Sequence, residues 1–74
     1  MNKYFFDVTG QHYCEYDHQG RILAHPEEAL SVAELLALDL EVQDAEEWLG
    51  CAIVARDCWG KQLCSVPVRG LGLI

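Results

Sequence analysis

Residues 26–43 read PEEALSVAELLALDLEVQ and carry the one sustained helical repeat of the chain. Apolar side chains recur there every three or four positions, a spacing that places them on one face of an α-helix. Pro26 suits the first helical position, where its missing N–H costs nothing. Acidic residues crowd the region after Gln43, against the negative end of the helix dipole, so we expect the helix to end there. We place Leu36 at the centre of the buried face. The predicted buried stripe comprises Ala29, Leu30, Val32, Ala33, Leu35, Leu36, Leu38 and Leu40.

Short segments rich in aromatic and β-branched residues on both sides of this helix predict four β-strands. Residues 3–8 and 12–16 precede the helix, and residues 51–56 and 61–66 follow it. An antiparallel sheet with the strand order 2-1-3-4, covered on one face by the helix, satisfies this layout. We therefore predict the α+β class: a single ββαββ domain over residues 1–74, with a four-stranded, mainly antiparallel sheet.

Two turns share the pattern Asp-x-x-Gly, one from Asp17 to Gly20 and one from Asp57 to Gly60. Aspartate at the first position and glycine at the fourth are typical of type I turns. The same turn chemistry explains why the two segments look alike. Neither is a calcium loop, because the further oxygen ligands of such a loop are absent. Residues 21–24 should form a short extended piece that leads into the helix.

The charge of the chain is strongly negative and unevenly placed. The net charge is -7, and the segment from Glu27 to Glu47 holds eight acids and no base. This argues against nucleic acid as a partner, because phosphate backbones need clustered lysine and arginine. It is compatible with a solvated acidic face and also with a surface that meets a basic protein. The chain shows no targeting signal and no apolar run of membrane-spanning length, so we expect a cytoplasmic protein without a membrane partner.

The four cysteines should be reduced thiols in such a protein. His12 and Cys14 share a strand face, and Cys51 and Cys64 share a face of the later hairpin; imidazole and thiolate ligands suit zinc. No Cys-x-x-Cys pair exists, however, and buried free cysteine behaves as a small apolar residue. We therefore expect Cys14, Cys51 and Cys64 to pack inside and Cys58 to be exposed. The prediction is no metal site, with a His/Cys metal- or ligand-binding domain kept as an alternative.

Acid–base catalysis has one weak candidate group. Asp7, His12 and Glu15 could approach one another across the first hairpin, but general acid–base work needs a pocket that positions such groups and shifts their pKa values. A domain of four strands and one helix leaves little room for a pocket. We predict no catalytic residues, no cofactor and no enzymatic activity. His18 should be exposed in its turn, and His25 should help to cap the helix.

Several apolar residues have no evident place in the core. Trp48 should close the edge of the core where the helix ends. Trp59, at a hairpin tip, either forms a contact surface with the apolar tail 71–74 or folds back over its own hairpin. Phe5 puts an aromatic ring on the sheet face opposite to the helix. A small domain with such residual apolar surface usually buries it against a partner, and the prediction is a homodimer.

The order of these motifs carries a resemblance that covers nearly the whole chain. The opening segment KYFFDV at residues 3–8, the Asp17 turn, the helix start at Pro26 and the closing Asp57 turn with its Val-Pro-Val ending follow one another in a fixed layout. This layout resembles a family of small, uncharacterised bacterial domains. Members typically open with Arg-Tyr-Phe-Phe-His-Val and close with Asp-x-x-Gly-x-x-Leu-x-x-Pro-Phe. The present sequence departs in its cysteines, in Trp59 and in a helix without arginines. The resemblance implies a ββαββ domain and no known activity.

The first half of the chain also resembles the antitoxin half of small bacterial toxin–antitoxin pairs, in which a hairpin precedes a Pro-Glu-Glu-Ala helix start like that of residues 26–29. That resemblance implies a partner in the form of a small basic toxin. The interpretation that the sequence favours is a non-enzymatic protein–protein interaction or regulatory module that acts through its acidic helix or its exposed sheet. The antitoxin-like partner and the His/Cys metal- or ligand-binding domain are the alternatives.

Overall fold

The fold is seen in a computed structural model, which describes residues 2–10, 14–48 and 50–68 and leaves the side chains of residues 44–47 undescribed. Within these residues one helix lies between two groups of strands, and each strand pairing is antiparallel. The predicted α+β class is therefore confirmed. The elements are β1 (Asn2–Thr9), β2 (Cys14–Glu15), β3 (Arg21–Leu23), α1 (Glu28–Trp48), β4 (Ala52–Asp57) and β5 (Gln62–Pro67).

The main path of the sheet is β2-β1-β4-β5, which confirms the predicted strand order. In the described part of the chain, the sheet has five strands rather than the predicted four. The additional strand is β3, because residues 21–23 pair with β1 before the chain reaches the helix. The long central pairing joins β1 to β4, from Tyr4 opposite Asp57 to Thr9 opposite Ala52. The second strand is shorter than predicted among the described residues, and His12 lies outside them.

The outer edge of β1 is shared by two short strands with a gap between them. Strand β2 pairs with residues 8–9 and β3 with residues 2–4. In the gap, the backbone N–H of Phe6 donates to Oδ2 of Asp17 at 3.1 Å. The other oxygen, Oδ1, accepts the N–H groups of Gln19 and Gly20, both at 3.0 Å. The Asp17 carboxylate thus replaces a missing strand partner while it closes its own turn.

The core lies between α1 and one face of the sheet. Alternation along the strands turns Tyr4 and Phe6 of β1 and Ile53 and Ala55 of β4 toward the helix, and all four are buried. The helix meets them with a column of alanines spaced four apart, whose small side chains let the helix approach the sheet closely. This column comprises Ala29, Ala33 and Ala37. Val32, Leu36 and Leu40 are partly buried at its sides.

The start of α1 is fixed by backbone hydrogen bonds. The N–H of His25 donates to Oε1 of Glu28 at 3.0 Å, which is one half of a capping box. The N–H groups of Glu28 and Ala29 donate to the carbonyls of His25 and Pro26. His25 therefore caps the helix as predicted, through its backbone, while regular helix begins at Glu28 rather than at Pro26.

The predicted end of the helix at Gln43 is wrong, because α1 continues to Trp48. An unfavourable charge near a helix end costs only about 0.3–1 kcal/mol and is screened by salt. The stop comes instead from Gly50, whose φ of 89° is in the left-handed region that favours glycine. The N–H of Cys51 donates to the Trp48 carbonyl at 3.0 Å. Trp48 packs partly buried against the core, as predicted.

The buried stripe is narrower than predicted. Leu30, Leu35 and Leu38 are exposed, and Leu36 lies beside the alanine column rather than at the centre of the buried face. Apolar residues occur at nearly every orientation around this helix, so their spacing alone does not select the face that meets the sheet. The alanines lie at the centre of the contact because the aromatic and branched residues of the strands leave space for small side chains there.

The thiols follow the prediction in part. Cys51 is buried, Cys64 is half-buried and Cys58 is exposed, but Cys14 is exposed rather than packed inside. Cys14 belongs to a strand of two residues, both of them exposed at the margin of the sheet. The apolar tail 71–74 lies outside the described residues. Among the residues that the structure describes, no helix combines the length and the apolar character needed to cross a bilayer.

Candidate functional site

The solvent side of α1 carries a second line of mainly apolar residues, which we call the outer stripe: Ser31, Leu35, Leu38 and Val42. Leu35 is 66% exposed, Leu38 47% and Val42 70%. The spacing of four, three and four residues is that of the a and d positions of a heptad, so these side chains form one seam along the helix. The buried Ala33 projects from the opposite side. Helix α1 therefore has two apolar faces, and the sheet covers one of them.

Carboxylates line both margins of the outer stripe. Glu34 and Glu41, one heptad apart, follow the margin nearer β5, and Asp39 stands on the other margin. Asp39 accepts a hydrogen bond from Nε2 of Gln43 at 3.0 Å. The described lysines and arginines all belong to the strands and to the turn between β4 and β5. These are Lys3, Arg21, Arg56 and Lys61.

A groove of about 680 Å³ runs between α1 and β5 and joins the outer stripe. Leu35 and Leu38 belong to both, so the stripe and the groove form one surface. Burial is the main cause that raises the pKa of the Cys64 thiol on β5, and the negative charge of Glu34 raises it further. The groove is lined by Ser31, Glu34, Leu35, Ala37, Leu38, Glu41, Val66 and Pro67.

The sheet face away from α1 holds an ion-pair network. Asp7 is 4% exposed, and its Oδ2 accepts Nε–H of Arg56 at 2.7 Å. The backbone N–H of Asp17 donates to Oδ1 of Asp7 at 2.9 Å. The Arg56 guanidinium lies 4.7 Å from the centre of the Phe5 ring and covers part of it. The hydrogen bond to Asp7 raises the pKa of Arg56. This network ties β1 to β4 and to the Asp17 turn.

The predicted acid–base group does not form among the described residues. Asp7 is held by Arg56, and Glu15 stands opposite Val8 in register. Because directly paired residues project to the same face, Glu15 and Asp7 lie on opposite faces of the sheet. His12, the third member, lies outside the described residues, and His18 is exposed as expected.

Cys51 and Cys64 are not placed close together in the structure, and His12, the possible partner of Cys14, lies outside the described residues. Cys64 is opposite Ala55, whereas Cys51 precedes β4 and accepts the Val68 N–H at its carbonyl. The two thiols are therefore four positions apart along β4. Within residues 2–10, 14–48 and 50–68, no group of three or more histidine, cysteine, aspartate or glutamate side chains is placed to hold a metal ion.

The position of Trp59 excludes one of the two alternatives given for it, namely that it folds back over its own hairpin. Its side chain is 80% exposed at the tip between β4 and β5, so it does not fold back over the hairpin. The tip is built by Asp57, whose Oδ1 accepts the N–H groups of Trp59 and Lys61 at 2.9 Å each. Trp59 is therefore a second candidate contact residue, separate from the outer stripe.

Sequence reasoning missed the outer stripe because it assigned Leu35 and Leu38 to the buried face. The signal was present, since the heptad line from Ser31 to Val42 is separate from the alanine line at spacing four. Two apolar lines on one helix, at different spacings, are distinct from the single broad stripe that the sequence analysis assumed.

Comparison with known proteins gives a family and no function. A family profile described as "Domain of unknown function (DUF6894)" matches residues 3–69. No curated protein and no solved structure matches the chain. The matched region contains β2 to β5, the whole of α1 and all but the first residue of β1. The chain therefore belongs to the DUF6894 family of domains of unknown function.

Proposed function

We propose that this protein is a non-enzymatic protein–protein interaction module whose docking surface is the outer stripe of α1 with the adjoining groove. The observation that carries the proposal is the exposure of Leu35, Leu38 and Val42 in one heptad line. Single exposed apolar residues are normal on proteins, but an aligned set forms a continuous seam of the kind that another protein covers. Burying such a side chain stabilises a complex by about 1–2 kcal/mol each.

The surroundings of the seam support a protein partner. The groove is open and apolar with carboxylates at its margin, a composition suited to side chains of a docked segment. Asp7 is engaged by Arg56 and by the backbone N–H of Asp17, so the ion pair has a structural role that accounts for it without a ligand. Cys51 and Cys64, one of the two pairs behind the His/Cys alternative, lie four positions apart along β4, which favours a protein partner over a metal or ligand in this proposal. The proposal includes a bacterial, cytoplasmic setting, and the acidic margins suit the antitoxin-like variant of the same role.

Self-association is a separate part of the proposal. Among the described strands, β5 is an edge strand that pairs on its β4 side only, and Trp59 and Ile22 are exposed elsewhere on the sheet. A homodimer through the sheet or through β5 leaves the outer stripe free for a second protein. Edge strands pair readily with strands of other chains, which supports this arrangement.

Comparative capture from a lysate of the native host tests the proposed function. The tagged protein is compared with Leu35→Ser/Leu38→Ser and with Ile22→Ser as the matched control, because Ile22 and Leu35 are equally exposed at 66%. We expect specific partners with the wild type and the control, and their loss with the double variant. Far-ultraviolet circular dichroism confirms that each variant is folded. Partners retained equally by all three proteins would contradict the proposal.

A further inference from the structure

We infer that the occupant of the outer stripe is a basic amphipathic helix of another protein, with lysine or arginine beside its apolar seam. This inference rests on the proposed function, since it names the chemistry of the partner for the same surface. Three features of α1 lead to it: the heptad spacing of the stripe, the sign of the charges at its margins and the conflict that a second copy would meet.

The spacing indicates a helical occupant. Residues 31–42 span about 17 Å at the rise of an α-helix, which is three turns. Alternating steps of three and four residues match the seam of a second helix crossing at a shallow angle, because each apolar side chain then fits between four residues of the facing helix. An extended strand, with its period of two, does not follow such a seam.

The margins specify the charge of the occupant. With Leu35 and Val42 at a positions and Leu38 at a d position, Glu34 and Glu41 occupy g positions and Asp39 an e position. Side chains at e and g face the margins of the partner helix and select it by charge. All three are acidic, so the complementary helix carries lysine or arginine there.

A second copy of α1 is a poor occupant for the same reason. In a parallel pair, Glu34 of one chain meets Asp39 of the other, and an antiparallel pair also sets carboxylate against carboxylate. No lysine or arginine exists between residues 27 and 47 to relieve this repulsion. Like charges placed opposite each other are destabilising, so the stripe discriminates against its own copy.

Two labelled synthetic helices test the inference by fluorescence anisotropy. Both carry leucine at the a and d positions, and they differ only in lysine or glutamate at e and g. Each is titrated with the full chain at concentrations where the peptide is monomeric. The lysine peptide should bind at least about tenfold more tightly than the glutamate peptide at low salt, and high salt should reduce that ratio.

Variants locate the effect. Glu34→Gln/Glu41→Gln should weaken binding of the lysine peptide by about threefold or more, as the loss of exposed charge pairs does. Glu27→Gln, which removes one exposed charge before the helix begins, should change the affinity less than Glu34→Gln/Glu41→Gln does. Leu35→Ser/Leu38→Ser should abolish binding of both peptides.

Each opposite outcome overturns the inference. Equal binding of the two peptides shows that the margins do not select charge, yet loss of that binding in the leucine variant would leave the proposed function intact. Absence of binding by either peptide overturns a helical basic occupant. A dimer of the protein that dissociates in the leucine variant, seen by sedimentation, identifies the occupant as a second copy instead.

Discussion

Replacement of Asp17 by alanine is the perturbation whose cost the structure specifies most fully. The carboxylate accepts three backbone N–H groups, one from Phe6 in the gap between β2 and β3 and two from its own turn. Phe6 is buried, so its N–H has poor access to water once the carboxylate is gone. The turn amides of Gln19 and Gly20 are more accessible, and water can replace their acceptor.

The expected loss follows from these bonds. An orphaned buried N–H costs about 1–3 kcal/mol, and loss of the turn bonds adds to it, so Asp17→Ala should lower the free energy of unfolding by about 2–4 kcal/mol. Domains of this size are stabilised by roughly 0.05–0.15 kcal/mol per residue, or about 4–11 kcal/mol in all. The substitution should therefore remove a large fraction of the stability while leaving the outer stripe unchanged in sequence.

The effect should depend on pH in a defined direction. Burial raises the pKa of Asp17, but the hydrogen bonds from the backbone amides and the charge of Arg56 outweigh it, and the net shift is downward. A carboxyl whose pKa is lower in the folded chain stabilises the fold fully above its unfolded pKa. That contribution is lost as the pH falls through the folded pKa, so the wild type and Asp17→Ala should converge in acid.

Urea unfolding followed by tryptophan fluorescence measures the difference, because the partly buried Trp48 changes its environment on unfolding. Asp57→Ala is the matched control, because Asp57 caps its turn in the same way but bonds only exposed amides at the hairpin tip. The control should lose about 1 kcal/mol or less. Equal losses in the two variants, or an unchanged midpoint for Asp17→Ala, would refute the role of Asp17 in bridging the two short strands.

Three further outcomes are expected. Gly20→Ala should destabilise the fold by about 1–3 kcal/mol, because its φ of 73° and the Tyr4 carbonyl, 2.9 Å from the added Cβ, both oppose a side chain; an unchanged thermal midpoint would contradict this. Ala33→Leu should cost about 1–3 kcal/mol in chemical unfolding by overpacking the fully buried alanine column, and a neutral result would mean that the helix sits farther from the sheet. In native-state thiol labelling Cys58 should react before Cys51, and the reverse order would place the hairpin tip in a contact.

The elements of this fold were predictable where local chemistry determines them. Alternating aromatic and branched residues predict β1 and β4, and the two Asp-x-x-Gly turns predict where the chain reverses. The capping role of His25 was predictable for the same reason. The strand order was also predicted correctly, although the pairing of β1 with β4 that sets it is a long-range contact. Gly50 was a recognisable signal for the end of the helix. The predicted end came too early because the acidic residues before Gly50 were taken to stop the helix, although their effect is weak and screened by salt.

The choice of the buried helix face could not be predicted from spacing. Helix α1 carries several leucines on its solvent side and alanines against the sheet. Hydrophobicity alone would predict the opposite, with the leucines buried and the alanines exposed. The side-chain volume determines which face is buried, because Tyr4, Phe6 and Ile53 already fill the space above the strands. The candidate site was missed with it, since the leucines assigned to the core are the ones that make the outer stripe. The role of Asp17 between two strands depends on tertiary pairing, which no local pattern contains.

Site-specific photo-crosslinking in the native host tests the central claim most directly, namely that the outer stripe of α1 is the docking surface. A photoreactive residue replaces Val42 in one variant and Trp59 in another, since these positions are 70% and 80% exposed. The account predicts a discrete adduct with another protein from position 42, lost when Leu35 and Leu38 are changed to serine. An adduct from position 59 alone would contradict it and assign the contact to the hairpin tip.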